Sequence, residues 1–431
     1  MLNLSGDVWE DFVAALLQIC GFYVEKNIEQ PNILELDAVA SLYEQNDSGG
    51  LPNPLQFSIQ VKSGDWGMNE IFKQYGIMNF LKIPKGYFFA YQEPEERHQK
   101  LLTDYIPKMK IDLIYFSKLK SYELFKSLKN NPNSDLLVDI WMRSYQIERD
   151  LSRVLKEQKQ IFRNGKGDER LSSLMEYANL VKNALFFMSN EDKIKALFRT
   201  YKKNPNLSLE LARAIGGDQN GKKIFQEALY EGKHDVLQLS FYVEHRARLA
   251  LFKATVDHLC NGKEFDDQNT SSSILNAVTK MKRYSHFYKF PVLLQVFFWS
   301  WGGFFLDSKK EEETEVLAKE AQLPPEQVMA AFEVYDTLFP IGESWLRKVS
   351  NADYTVMRLI PMVFRGLGVE RRIKFYGDLS SFCSGLTQSD LTRWHEKIKE
   401  RENTTTTSVY GYFTSYLKSD ASQQDSDDFI P

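Results

Sequence analysis

The first 120 residues switch repeatedly between two hydrophobic periods. Residues 6–20 (GDVWEDFVAALLQIC) put Val8, Phe12, Ala15, Leu16 and Ile19 at helical spacing, and Gly21 follows as a helix stop. Residues 21–28 and 33–45 read as strands, and 46–54 (NDSGGLPNP) is dense in turn residues. A third strand is predicted over 57–64 (FSIQVKSG), a helix over 68–81, a strand over 86–92, a helix over 95–109 and a strand over 111–119. The order α-β-β-β-α-β-α-β describes an antiparallel hairpin followed by crossover units. Such units feed a mixed sheet of about five strands flanked by helices.

Beyond residue 120 the strand signal vanishes. Residues 134–163 carry a long amphipathic pattern with few breakers. Further helices are predicted at 168–188, 191–203, 207–215, 222–231, 236–261, 271–282, 291–306, 311–321, 325–338, 355–366 and 388–401. No fixed-period repeat is present. The expected organisation is an α/β domain over 1–120, a large all-helical domain over 121–403 divisible near 265, and a flexible tail over 404–431. The last stretch turns rich in Thr, Ser and Asp. A chain of 431 residues is long for one core, which agrees with several domains. Residues 291–306 (PVLLQVFFWSWGGFFL) carry no charge but fall short of the ~18 apolar residues of a membrane span. They are expected to form a buried helix, with no membrane span.

Charge sharpens this division. The formal net charge is −4. Residues 1–120 hold 11 Lys/Arg and 16 Asp/Glu, a net of −5, whereas 143–260 hold 21 and 15, a net of +6. An acidic domain beside a basic helical segment suits a protein that holds a metal ion with one part and a polyanion with the other. A solvated helical surface is the alternative. The three cysteines, Cys20, Cys260 and Cys383, are too far apart for a thiolate zinc site and too few for a disulfide framework, so a reducing cytoplasm is expected. No basic stretch followed by an apolar run opens the chain, so no secretory signal is expected.

The candidate chemistry lies on two predicted strands. Asp37 sits in ELDAVA, and Gln60 and Lys62 sit in IQVKS. Side chains alternate along a strand, so Gln60 and Lys62 share a face. The intervening turn returns their strand beside the one bearing Asp37, and the three can converge. Phosphodiester hydrolysis asks for such a set. A carboxylate holds Mg²⁺, a hard ion that prefers oxygen, and the Gln60 carbonyl offers a second oxygen. The ion polarises a phosphate and acidifies water. Lys62 can stabilise the charge that develops on the phosphate. Glu10 on the first helix can complete the metal set of Asp37, Gln60 and Glu10. Glu35, two residues from Asp37 and on the same face, is a competing ligand or an exposed charge. Asp65 and Trp66 flank either the substrate or a turn, and Gln74 is a candidate substrate or supporting contact.

This order of elements and the D…QxK spacing resemble the PD-(D/E)xK nuclease superfamily, in its Mrr-like restriction endonuclease branch. WEDFVAALLQICGF looks like the first helix and the Gly-aromatic start of the first strand. LELDAVA is similar to the E-x-D-x-x-A strand of Holliday-resolvase-like proteins. KQYGIMNFLKIPKGYFFAY resembles the helix and strand that trail the QxK motif. The resemblance covers about residues 1–120. Leu36 replaces the usual Pro before the Asp, PNILE replaces a Gly-rich approach, and Gln60 leaves one acid fewer at the metal. The resemblance implies a restriction-endonuclease-like fold and a Mg²⁺- or Mn²⁺-dependent endonuclease, with DNA preferred to RNA. It also implies a restriction or anti-phage setting, the helical part serving recognition, sensing or homo-oligomer assembly. The alternatives are an RNA nuclease with the same metal core and a catalytically silent module that binds nucleic acid or protein.

Other signals carry less. GGDQNGK (216–222) imitates a phosphate loop, but Lys223 stands where Ser or Thr is needed and a helix precedes it. Residues 314–338 imitate a helix-turn-helix, yet the second helix holds Glu326, Glu333 and Asp336 and no cation to meet phosphate. The six histidines form no zinc-like pair. RTYKKNP (199–205) and KMKRYSHFYKF (280–290) mix basic and aromatic residues, which suits either phosphate contact with base stacking or a solvated helix end.

Overall fold

A computed structural model of the chain describes residues 6–30, 34–44, 52–93, 96–164, 172–174, 176–178, 180, 189–266, 268–339, 346–348, 354–357 and 359–377. Helix α1 (Gly6–Ile19) precedes strands β1 (Tyr23–Gln30), β2 (Leu34–Leu42) and β3 (Leu55–Lys62). Helix α2 (Met68–Leu81), strand β4 (Lys85–Ala90), helix α3 (Glu96–Tyr105) and strand β5 (Ile111–Tyr115) follow. The predicted order of elements is therefore observed. The chain divides into two compact units. Among the described residues, the first holds those up to Ser41 and Leu55–Tyr145; the second holds Leu42–Pro54 and those from Gln146 onward.

The first unit is built on one mixed sheet in the order β1-β2-β3-β4-β5. Strands β1 and β2 run antiparallel, with Lys26 opposite Ala38. Strands β3, β4 and β5 run parallel, with Lys62 beside Ala90 and Ala90 beside Tyr115. Parallel neighbours need a crossover, and α2 and α3 supply the two. Helix α1 is buried on nearly every side, so its apolar run Phe12–Leu17 belongs to the core. It ends at Gly21 (φ 88°), where the Gly21 N–H donates to Gln18 O and the Phe22 N–H to Leu17 O. This pairing of the last carbonyls through a left-handed residue is why a glycine stands there. Trp9 anchors the helix against Phe116 and Tyr91, with ring centroids 4.6 and 5.2 Å away.

Gln74 fixes α2 to the sheet. It is fully buried, and its amide nitrogen donates to Ser58 O at 2.9 Å and Tyr87 O at 3.2 Å. One side chain thus ties the helix to both β3 and β4. Gly86 gives it room, since a Cβ there would lie 2.7 Å from Met78 Sδ.

The second unit is mainly helical. The helices at Asn190–Lys203, Asp235–Cys260, Ser272–Met281 and Lys310–Ala321 lie within a residue or two of the predicted spans. The separate helices predicted at 207–215 and 222–231 form one element, Leu207–Glu231, broken by Gly217 at φ 70°. Its two halves pack so closely that a Cβ on Gly221 would lie 2.7 Å from Arg213 Cα, so the GGDQNGK glycines serve a helical turn. Helix Val328–Leu338 buries Val328, Ala331, Phe332, Val334, Tyr335 and Leu338, which fits packing rather than groove insertion. Most of the predicted 168–188 helix, the 388–401 helix and the tail lie outside the described residues.

The expectation of an all-helical unit is corrected by a small antiparallel sheet. Strands β6 (Phe304–Leu306), β7 (Leu346–Lys348) and β8 (Tyr354–Met357) pair in the order β6-β8-β7. The apolar run 291–306 is buried throughout, but its α-helix stops at Gln295 and passes through a π turn. Gly302 and Gly303 then turn the chain at φ 77° and 69°, releasing Phe304–Leu306 as a strand. An unbroken apolar stretch has no periodicity from which to tell these states apart. The helix predicted at 355–366 starts only at Met362; Pro361 excludes helix from the residues just before it, and Tyr-Thr-Val-Met extends instead. Among the described residues no helix is long and apolar enough to cross a membrane.

A buried ion pair locks this sheet to the helix Met362–Tyr376. Arg372 donates to both Glu313 oxygens at 2.5 and 3.0 Å and to the carbonyls of Trp301, Gly368 and Phe304, with neither partner exposed. Removing one partner strands the other charge in the interior. Glu313→Ala is expected to cost about 3–5 kcal/mol, read from unfolding followed by tryptophan fluorescence. An unchanged midpoint would contradict this role.

Candidate active site

Asp37 lies in β2 and the Gln60–Lys62 segment in the neighbouring β3. One oxygen of Asp37, Oδ2, accepts two hydrogen bonds of 2.7 Å, from the Val61 backbone N–H and from the Gln60 amide nitrogen. The two strands are thereby tied through a carboxylate. Gln60 is buried, and its amide nitrogen faces Asp37. Lys62 follows two residues later on the same face of β3. Its ammonium lies 3.0 Å from Glu70 Oε2, and the two side chains are 27% and 34% exposed, so solvent reaches the pair.

Glu10 projects from α1 into the same field of charge. Burial first, and then the charge of Asp37, push its carboxyl up to about 7; Lys26 opposes the rise, while Asp7 and Glu35 add to it. Burial pushes Asp37 up to about 6, against the Val61 N–H, Lys62 and Lys26, which favour its charged form. The structure thus brings together Asp37, Gln60 and Lys62, and it couples Glu10 electrostatically to Asp37. Glu35 is exposed, and its charge raises both acids.

Two side-chain pairs in this region were not anticipated from the sequence. Glu70 is the partner of Lys62; its signal is an acid in the first turn of the helix that follows the QxK strand. Asp11 and Lys26 form an ion pair that is almost wholly buried, and Lys26 also sits 5.2 Å from the centroid of the Tyr145 ring. A Lys in a strand and an Asp in a helix, fifteen residues apart, give no local cue of pairing. Gln74, a candidate substrate or supporting contact, lies buried against the sheet, as described. Trp66 anchors its turn by donating to Gln92 O at 2.9 Å and packing on Phe88, while Asp65 is exposed.

Among the described residues no group of three or more His, Cys, Asp and Glu side chains is disposed to hold a metal ion. A cation here would rest on two carboxylates, Asp37 and Glu10, and the Gln60 carbonyl. That donor set is all oxygen, as Mg²⁺ and Mn²⁺ prefer, and Mg²⁺ commonly uses one or two carboxylates and completes its shell with water and phosphate. Two acids each raised by burial, one of them also by the other's charge, form a place where positive charge is favoured. The residue types present suit such an ion, which the Gln60 oxygen would join once its amide, whose nitrogen faces Asp37, turns over. The chain matches no family model, and comparison with curated proteins and with solved structures likewise finds no match.

Both acids titrate higher in the folded chain than their ordinary values of 4.5 and 3.8. Between those values and about 6 to 7 the folded state therefore binds more protons than the unfolded state. Stability must then fall as pH rises through this window and level off above it. In metal-free buffer, the melting temperature of the wild type is expected to drop from pH 5 to pH 8 relative to Glu10→Gln, which has no carboxyl to ionise. Parallel curves for the two proteins would show that Glu10 does not feel this field.

Proposed function

We propose that this chain is a divalent-cation-dependent nuclease that hydrolyses phosphodiester bonds, DNA being the preferred polymer. The observation that carries the reading is the convergence of Asp37 and Gln60 across two neighbouring strands, with Lys62 two residues beyond. The D…QxK resemblance supports the same chemistry and the choice of DNA.

Asp37, the Gln60 carbonyl and Glu10 would hold a Mg²⁺ or Mn²⁺ ion. When bound, such an ion polarises a phosphate oxygen and makes a hydrolytic water more acidic. The other contributions come from the chain itself. Two hydrogen bonds fix Asp37 Oδ2, so its carboxylate needs no reorganisation when charge arrives. Glu70 holds the Lys62 ammonium at the edge of the site, where a phosphate can compete for it. Lys62 then places a positive charge against the phosphate as negative charge accumulates. The restriction or anti-phage setting rests on analogy with nucleases fused to sensing domains. In that setting the helical unit recognises a feature of the substrate or a trigger.

The test is a cleavage assay on supercoiled plasmid, linear DNA and RNA with Mg²⁺, Mn²⁺ or EDTA. Asp37→Ala and Lys62→Ala are each expected to lose at least about a hundredfold in rate, the scale of removing one preorganised electrostatic group. Gln60→Glu puts the commoner acid at that position but removes the amide that donates to Asp37, so it should retain activity with the divalent ion bound, the ion then lying between the two carboxylates. Cutting that survives Lys62→Ala, or that needs no divalent ion, would overturn the proposal. Preferential cutting of RNA would keep the mechanism and change the polymer.

A further inference from the structure

Helix α2 carries an unusual outer face. Phe72 is 51% exposed, Phe80 57% and Tyr75 37%. Gly76 lies between them with nothing within 4 Å of the position its Cβ would take. Positions 72, 75, 76, 79 and 80 recur at helical spacing and share one face. Ile71, Gln74, Ile77 and Met78 form the opposite, buried face. Packing on the sheet therefore does not require the outer aromatics.

Charge distinguishes this segment from its surroundings. From residue 71 to 92 the chain holds Lys73, Lys82 and Lys85 and no Asp or Glu, although residues 1–120 as a whole carry a net −5. All three lysines are exposed. The turn into β5 lies at the same edge, since the Gly86 N–H at the start of β4 donates to Lys110 O at 3.0 Å. There Tyr105 is 47% exposed with the Lys108 ammonium 5.0 Å from its ring centroid. Asp104 and Asp112 offset Lys108 and Lys110, and Glu70 offsets Lys73 within α2, so the positive balance comes from Lys82 and Lys85, which follow the helix.

We infer that the outer face of α2 and the basic turn after it form a track for single-stranded nucleic acid, leading to the Asp37–Lys62 centre. The helix supplies the direction. Its first turn carries Glu70, bound to Lys62, and its last residue precedes Lys82, so the aromatic ridge runs away from the centre. Phe72 and Phe80 are eight residues apart, about 12 Å along the axis, room for roughly three bases at their stacking distance. Exposed rings offer stacking platforms, and lysines beside them neutralise phosphates. An intact duplex keeps its base faces stacked on one another, whereas a single strand can turn them onto protein rings. The occupant is therefore an unpaired strand, of DNA or RNA. This inference deepens the nuclease reading and rests on it for the destination of the strand.

The experiment measures binding in EDTA, so that cleavage plays no part. Fluorescent oligo(dT) and oligo(U) of twenty nucleotides, and a duplex of equal length, are titrated by anisotropy against the full chain, Phe72→Ala/Phe80→Ala, and Lys82→Ala/Lys85→Ala. The wild type is expected to bind at least one single strand more tightly than the duplex. The aromatic double variant should weaken that binding at least about tenfold, given ~1–3 kcal/mol per stacked base. The lysine double variant should lower the slope of log K against log salt by about 1.4, at ~0.7 per phosphate contact. Equal binding by wild type and the aromatic variant overturns the track, as does no binding by the wild type. So does a dimer in sedimentation that Phe72→Ala/Phe80→Ala dissociates without changing oligonucleotide affinity, because a second copy then covers the face. The two readings fail separately. Single-strand binding lost in the aromatic variant, without cleavage under any condition, keeps the track and removes the nuclease. Metal-dependent cutting that needs Lys62 but ignores Phe72 and Phe80 does the reverse.

Discussion

A carboxylate set into the seam between two strands organises the first unit. Asp37 Oδ2 takes the Val61 N–H and the Gln60 amide, so the group that joins β2 to β3 is also the group withdrawn from water. Burial disfavours its charge, while the hydrogen bonds and the nearby lysines favour it. A wholly apolar pairing at this point would avoid the conflict. Its presence gives β2 and β3 a polar centre where the sheet could have had a continuous core, and polar sites kept at such a cost are where function is concentrated.

The two lysines beside that centre each have an acid partner. Asp11 neutralises Lys26 in the interior, and Glu70 neutralises Lys62 at the solvent edge. Glu10 and Asp37 are the acids whose titration is raised, by burial above all, to about 7 and about 6. Lys26 and Lys62 are thus partnered by other acids, and their charge offsets the burial of Asp37 and Glu10 only in part. An oxygen-seeking cation would complete this arrangement, and a phosphate would find in Lys62 a cation whose present partner can be exchanged.

How much of this was legible in the sequence depends on the range of the interaction. Strands β1 to β5 and helices α1 to α3 follow from local alternation, helical spacing and turn residues, all of which act within a few positions. The adjacency of Asp37 and Gln60 follows from one turn and one parity argument. Glu70 and the Asp11–Lys26 pair depend on how α1 and α2 lie on the sheet, which no local pattern encodes. In the second unit, the run 291–306 misled because uniform apolarity removes periodicity. The chain there turns at Gly302 against Phe364 and Gly368 and at Gly303 against Ile360, contacts made across more than fifty residues. Strands of three or four residues, such as β6 and β8, are shorter than any period can mark.

The claim on which the mechanism depends is that Asp37, Gln60 and Glu10 share one cation. It is tested most directly by soaking crystals of the wild-type protein in Mn²⁺ and locating the ion by its anomalous scattering. A single peak within bonding distance of the Asp37 and Glu10 carboxylates and the Gln60 carbonyl oxygen is the predicted result. A fully occupied Mn²⁺ site elsewhere with none at Asp37, or no ordered Mn²⁺ at saturating concentration, would contradict the account.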